Sequence, residues 1–163
     1  MIVVADTSVI LNLTFVGQEL LLTHLFGEVL IPPAVHAEFL RLSSAPGRFA
    51  GLILPASLQT RPVSGIPASL RGDQRLDAGE TEALTLALEL HADFVLMDEA
   101  AGRHAALQHG LVPIGVLGLL IRGKRKGLLP EVAPILRTLV RQARFRASQS
   151  LLHETLRLAN EAP

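Results

Sequence analysis

The sequence predicts an α/β sandwich, doubly wound around a parallel sheet. Three observations carry that expectation. The apolar runs Ile2–Ala5 and Phe94–Met97 are short, and each is closed by an acid, Asp6 and Asp98. Runs of Val, Ile and Leu without polar alternation read as strands buried on both faces, as parallel strands are. Segments with helical spacing of apolar residues alternate with these runs, as connections between parallel strands require. With 163 residues, 49% hydrophobic and 18% charged, the chain is expected to be one domain with a real core rather than a disordered segment.

Taken in order, residues 2–5 read as the first strand and Thr7 or Ser8 to Thr14 as a short helix. A helix over Gln18–Leu25 and a strand over Val29–Ile31 follow. Pro32-Pro33 then pre-sets the first turn of a helix carrying Val35, Glu38, Phe39 and Leu42, because a missing N–H costs nothing there. Residues 43–75 are punctuated by proline and glycine, and the expectation is an irregular connection with a short helix near Phe49–Leu54 and an extended piece near Leu58–Val63. Asp77–His91 is the clearest helix, and Phe94–Met97 the next strand. A helix over Glu99–His109 ends at Gly110, a favoured residue just past a helix. Leu111–Val116 reads as a last strand, its Pro113 favouring a sheet edge. Helices over Leu117–Arg122, Glu131–Ala147 and Ser150–Asn160 complete a single domain, 1–163, with a helical extension from about residue 130.

Four carboxylates stand out against this frame. Asp6 and Asp98 close strands, and the carboxyl ends of parallel strands open into the crevice where ligands bind. Each also has the ordinary reading of a helix cap. Glu38 shares the apolar helix face of Val35, Phe39 and Leu42, where an unpaired carboxylate costs several kcal/mol, so it needs an arginine or a cation. Glu80 shares the face of Ala83, Leu84 and Ala87, while its spacing from Asp77 is that of a capping box. Like charges converging in one crevice repel unless a divalent cation neutralises them. Asp77 is a fallback ligand, and Glu99 a possible outer one beside Asp98.

The chain has no cysteine, which removes disulfides and thiolate ligands and leaves oxygen and imidazole. Its six histidines form no i,i+4 pair, which argues against zinc. Hard oxygen donors suit Mg²⁺ or Mn²⁺. Thr7 or Ser8 is placed to orient Asp6. The zero net charge divides unevenly: residues 1–100 hold twelve acids and five arginines, whereas residues 101–163 hold ten bases and three acids. An acidic pocket beside a basic surface suits a protein that holds cations and grips phosphates, although sequence halves need not be spatial halves. Arg122, Lys124, Arg125 and Lys126, with Arg103, are the candidate phosphate contacts. Arg137, Arg141, Arg144 and Arg146 read as a helical stripe or an exposed face. Gly118–Lys124 matches most of a phosphate-binding loop, but Arg125 replaces its hydroxyl residue and no strand opens into a long helix there. Asp6 and Asn12 interrupt the first apolar stretch, which has no basic residues before it, and no apolar run spans a bilayer. A cytoplasmic protein without membrane segments is the expectation.

The stretches VVADTSVILNL, PPAVHAEF, LDAGETEALTLALEL with ADFVLMDE, and LVPIGVLGLLIRGKRKGLL resemble the PIN-domain family of metal-dependent ribonucleases. The likeness covers most of residues 1–130 and is nearest an uncharacterised prokaryotic PIN-like group. It implies a three-layer α/β/α fold and an acidic cluster binding Mg²⁺ or Mn²⁺, with Asp6, Glu38, Glu80 and Asp98 at the family's acidic positions. It also implies an endoribonuclease and, as in VapC-type toxins, a homodimer inhibited by a small antitoxin. Two positions depart from the common pattern: Glu80 replaces an Asp, and Met97 precedes Asp98 where a hydroxyl residue is usual. The rival expectation is a PIN-like RNA-binding or regulatory protein without turnover.

Overall fold

The computed structural model describes residues 1–163. Five strands form one sheet in the order β3-β2-β1-β4-β5, and every pair is parallel. They are β1 (Val3–Ala5), β2 (Val29–Ile31), β3 (Leu58–Thr60), β4 (Phe94–Leu96) and β5 (Pro113–Ile114). All residues of β1 and β2 are buried, and alternate strand residues point to opposite faces, so helices cover the sheet on both sides. The expected α/β sandwich with a central parallel sheet is the observed architecture.

Nine helices surround the sheet: α1 (Thr7–Phe15), α2 (Leu20–Phe26), α3 (Pro33–Ser44), α4 (Ala68–Arg71), α5 (Ala78–Glu89), α6 (Ala100–Gln108), α7 (Val116–Arg125), α8 (Ala133–Arg141) and α9 (Gln149–Leu158). Helix α5 packs on α3, α4, α6, β1 and β4, while α7 packs on α1, α2 and α9. A side chain at Gly123 would place its Cβ 2.7 Å from Leu21 Cδ1, so glycine is what lets α7 approach α2 closely. The same helix contains the whole phosphate-loop-like stretch Gly118–Lys124, so that stretch is no phosphate-binding loop. The core gathers Val3, Val4, Ile31, Phe39, Leu84 and Leu120, all essentially inaccessible to solvent. No single helix is long and apolar enough to cross a membrane.

Helix α4 was not expected within the irregular stretch 43–75, and three expected elements fall short. Phe49–Leu54 forms no helix: Gly47 and Gly51 hold positive φ and turn the chain, while Phe49 anchors it edge-on against Phe15, with centroids 6.1 Å apart. The last strand is only Pro113–Ile114, because Gly115 already caps the start of α7; Pro113 does lie at the sheet edge. The helix expected over Glu131–Ala147 covers only Ala133–Arg141. Arg144 there adopts the left-handed conformation (φ 58°), and Phe145 N–H bonds Leu139 O at 2.9 Å, turning the chain back over the end of the helix. The C-terminal extension is tied down by Glu161, which accepts from Val132 N (2.7 Å), Ala133 N (3.0 Å) and Lys124 Nζ (3.2 Å). Burial works against charge on Glu161, yet these donors hold its carboxyl below the usual range.

The order of connections reverses beside β1: the chain leaves it toward β2 on one side and returns as β4 on the other. Ligands in open α/β sheets bind in the crevice beyond the carboxyl ends at such a reversal. Asp6 follows β1 and Asp98 follows β4 at that end of the sheet.

Candidate functional site

Beyond β1, a cavity of about 380 Å³ is lined by Asp6, Thr7, Ser8, Glu38, Arg75, Asp77, Glu80 and Glu99, among others. Asp6 is 3% exposed and makes no side-chain capping bond to α1, so its ordinary cap reading fails. Its Oδ1 is buried without a hydrogen-bond partner. Burial pushes the Asp6 carboxyl up to about 8; the Thr7 backbone opposes this, and the charges of Asp77, Glu80 and Glu38 add to it.

Glu38, on the inward face of α3, is half-buried and accepts from Thr7 Oγ1 at 3.1 Å. Thr7 therefore orients Glu38 rather than Asp6, while Ser8 Oγ is buried without a partner. Burial raises the Glu38 carboxyl, and the charge of Asp77 raises it further. Glu80 is 4% exposed and makes the expected helix cap. Its backbone N–H donates to Asp77 Oδ1 at 2.8 Å, and its Oε2 accepts from Asp77 N at 2.9 Å, a complete capping box. Only Oε2 is committed to the cap, and Glu80 still lines the acidic cavity. Burial is the main reason its carboxyl rises to about 6.

Gly79 makes this crowding possible. A Cβ there would lie 2.9 Å from Glu38 Oε2, 3.3 Å from Asp6 Oδ1 and 3.4 Å from Thr7 Oγ1. Two carboxylates and a hydroxyl thus crowd the one spot that a side chain would fill. Sequence reasoning missed both Gly79 and Arg75, an exposed residue at the mouth of the cavity that is paired with Asp73 at 2.9 Å. The signal for Gly79 was legible in Asp77-Ala78-Gly79-Glu80, where glycine sits inside a capping box that has no need of it.

Asp98 does not line the acidic cavity. Its Oδ1 accepts from Val116 N at 3.0 Å, capping the start of α7, and its Oδ2 is buried without a partner. Gly115 permits this contact, since a Cβ there would fall 2.4 Å from Asp98 Oδ1. Burial raises Asp98 to about 6, with the Val116 N–H and Arg103 opposing. Arg103 donates to Met97 O at 3.0 Å beside it. The neighbouring Glu99 is exposed and lines the acidic cavity instead. Asp6, Glu38, Asp77, Glu80 and Glu99 thus line the acidic cavity, whereas Asp98 lines the adjoining groove.

Asp98 and Arg103 belong to a larger groove of about 980 Å³ that shares Ser8, Glu38 and Glu99 with the acidic cavity. Arg48, Arg122, Arg144 and Arg146 also line it. Of the expected basic run, Arg122 lies in the groove, with its guanidinium 4.9 Å from the Phe94 ring centre. Lys124 is instead bound to Pro130 O and Glu161, and Arg125 Nε donates to Leu158 O at 3.3 Å. Lys126 is exposed just past the end of α7. The expected stripe of Arg137, Arg141, Arg144 and Arg146 breaks, because the last two lie beyond the end of α8.

A family model described as a PIN domain matches residues 2–161. No curated protein matches the chain. Among solved structures, a PilT N-terminus domain protein from the hyperthermophilic archaeon Sulfolobus solfataricus P2 superimposes with a TM-score of 0.55 at 17% identity. The superposition covers 81% of this chain and 97% of that one, a likeness of fold.

Proposed function

Because the chain belongs to the PIN-domain family, we propose that it is a metal-dependent endoribonuclease whose acidic cavity is the hydrolytic site. One observation carries the reading: Asp6 is almost wholly buried with an unpartnered oxygen, and Glu38 shares with it the space left by the missing side chain of Gly79. Buried carboxylates that repel one another want either protons or a cation, and hard oxygen donors favour Mg²⁺ or Mn²⁺. Asp6, Glu38 and Glu80 would hold such an ion, with Asp77 and Glu99 at the rim. Asp98, which was expected among the ligands, enters this proposal as the group that caps α7 and borders the groove.

When bound, the cation supplies a water of lowered pKa and neutralises charge on the reacting phosphate. The chain's own residues do the positioning. Thr7 fixes Glu38, and the backbone of Asp77 fixes Glu80 Oε2. Arg75 stands at the mouth of the cavity, where Asp73 holds its guanidinium in place through Nε and Nη2. No covalent intermediate is needed, since water is the nucleophile.

The direct test is incubation of purified protein with mixed RNA oligonucleotides and Mn²⁺. Cleavage by the parent, reduced at least about 100-fold in Asp6→Asn, supports the reading. Cleavage that persists in Asp6→Asn points to a contaminant and sinks it. The toxin role, a small antitoxin and a homodimer belong to the same proposal. Co-purification with the product of an adjacent small gene tests the first two, and sedimentation tests the third.

A second reading, an RNA-binding protein without turnover, is favoured by one observation: no three of the acids converge in the arrangement of a ready-formed ion site. RNA retention without cleavage in any divalent metal would select it.

A further inference from the structure

The turn that follows α8 holds a residue with a side chain in the left-handed conformation, on the wall of the larger groove. After α1, α2, α6 and α7, the residue with positive φ just past the helix is a glycine, whereas after α5 and α9 it is His91 (φ 51°) and Asn160 (φ 60°). After α8 it is Arg144, at φ 58°. A residue with a Cβ held left-handed costs about 1 kcal/mol that glycine avoids, and such outliers tend to sit where a side chain is needed. Arg144 is flanked by Ala143, which is 1% exposed, and by Phe145, which packs against the core. The two neighbours anchor the turn and leave Arg144 and Arg146 exposed on the wall of the groove.

Arg48 and Arg122 line the same groove, and none of these four arginines forms an ion pair. Glu154, the acid on the α9 wall, is already paired with Arg157. The stretch away from the acidic cavity is therefore positive, and it joins that cavity at Ser8, Glu38 and Glu99. Four unpaired guanidinium groups along a groove complement a phosphate backbone, and Arg binds phosphate through two parallel N–H donors.

Resting on the nuclease reading above, we propose that the turn at residues 143–146, with Arg48 and Arg122, grips the backbone of the RNA strand leading into the acidic cavity. Arg144 is a positioning residue in this clamp. Base stacking contributes little, because the chain has no Tyr or Trp and the rings of Phe49 and Phe145 are packed against the protein.

The test is direct binding of a fluorescein-labelled single-stranded RNA by anisotropy over a range of salt. It is run with EDTA present and again with Mn²⁺ in an Asp6→Asn background, so that no cleavage is required. Arg144→Gly suits the turn's backbone and should leave the melting midpoint unchanged or raised. It should nevertheless weaken binding about five-fold and reduce the salt slope by about one. Arg146→Ala should act similarly, and Arg137→Ala, on the exposed face of α8 outside the groove, should have no effect. RNA affinity and salt slope unchanged in both Arg144→Gly and Arg146→Ala would overturn the clamp. So would a parent protein that binds no RNA in either condition, or a groove that takes only a protein partner. Binding that weakens as stated, without cleavage in any metal, would keep the clamp and remove the nuclease reading. Cleavage lost in Asp6→Asn with RNA affinity insensitive to the arginines would do the reverse.

Discussion

The acidic cavity and the basic groove share a wall but solve opposite physical problems. In the cavity, carboxylates are buried, crowd a glycine and leave an oxygen unpartnered, so the native state carries an electrostatic cost. In the groove, the arginines are exposed and unpaired, where water screens them and little stability is at stake. Strong perturbation thus concentrates where chemistry is expected, and free charge where a long ligand would lie. Asp98 belongs by contact to the groove side, although it stands at the end of a central strand.

The sharpest way to break this comparison is Asp6→Asn. Cleavage should fall at least about 100-fold, while the metal-free protein becomes more stable at pH 8, because a buried charge is removed. A variant that loses both activity and stability would show that Asp6 acts as a structural group.

Next in size is the pH dependence of stability in chelator. Asp6 titrates near 8 in the fold against 3.8 unfolded, so between those values the native state holds a proton that the unfolded chain has released. Stability should therefore fall as pH rises from about 4 to 8, at up to about 1.4 kcal/mol per pH unit for this one group. Glu80 and Asp98, both raised to about 6, add to the loss below pH 6. Urea midpoints at pH 5 and pH 8 measure it. Mn²⁺ should restore stability at pH 8, and Asp6→Asn should flatten the profile.

A smaller effect separates two glycines. Gly79→Ala should cost about 1–3 kcal/mol by overpacking and weaken Mn²⁺ binding in calorimetric titration. Gly115→Ala, which crowds Asp98, should cost a similar amount yet leave Mn²⁺ affinity nearly unchanged. Equal losses of affinity in both would place Asp98 among the ligands after all. Smallest is Glu161→Gln, expected to cost about 1 kcal/mol by loosening the Lys124 contact. Faster hydrogen exchange in α8 and α9, with cleavage intact, would show that the extension is tethered independently of the acidic cavity.

Much of this was legible in the residues. The strands around Val4, Leu30 and Val95 announced themselves as unbroken apolar runs, because a parallel strand is buried on both faces. Glu38 and Glu80 were legible as acids on apolar helix faces. Segment 43–75 was harder to read, since Gly47 and Gly51 make turns that Phe49 alone anchors and no periodicity marks. The true end of α8 was hidden for a similar reason: arginine is a good helix former, and nothing local says that Arg144 will turn left-handed.

The sequence alone determined the α/β class, the parallel strands and the acids at their ends, because burial and periodicity are written into local composition. Which acids meet was decided only by the tertiary structure. Asp98 turns to the first N–H of α7 and Glu99 takes the cavity rim, while Thr7 reaches Glu38 rather than Asp6. These outcomes depend on how helices distant in sequence pack over the sheet, where a single missing Cβ, at Gly79 or Gly115, sets which oxygens approach.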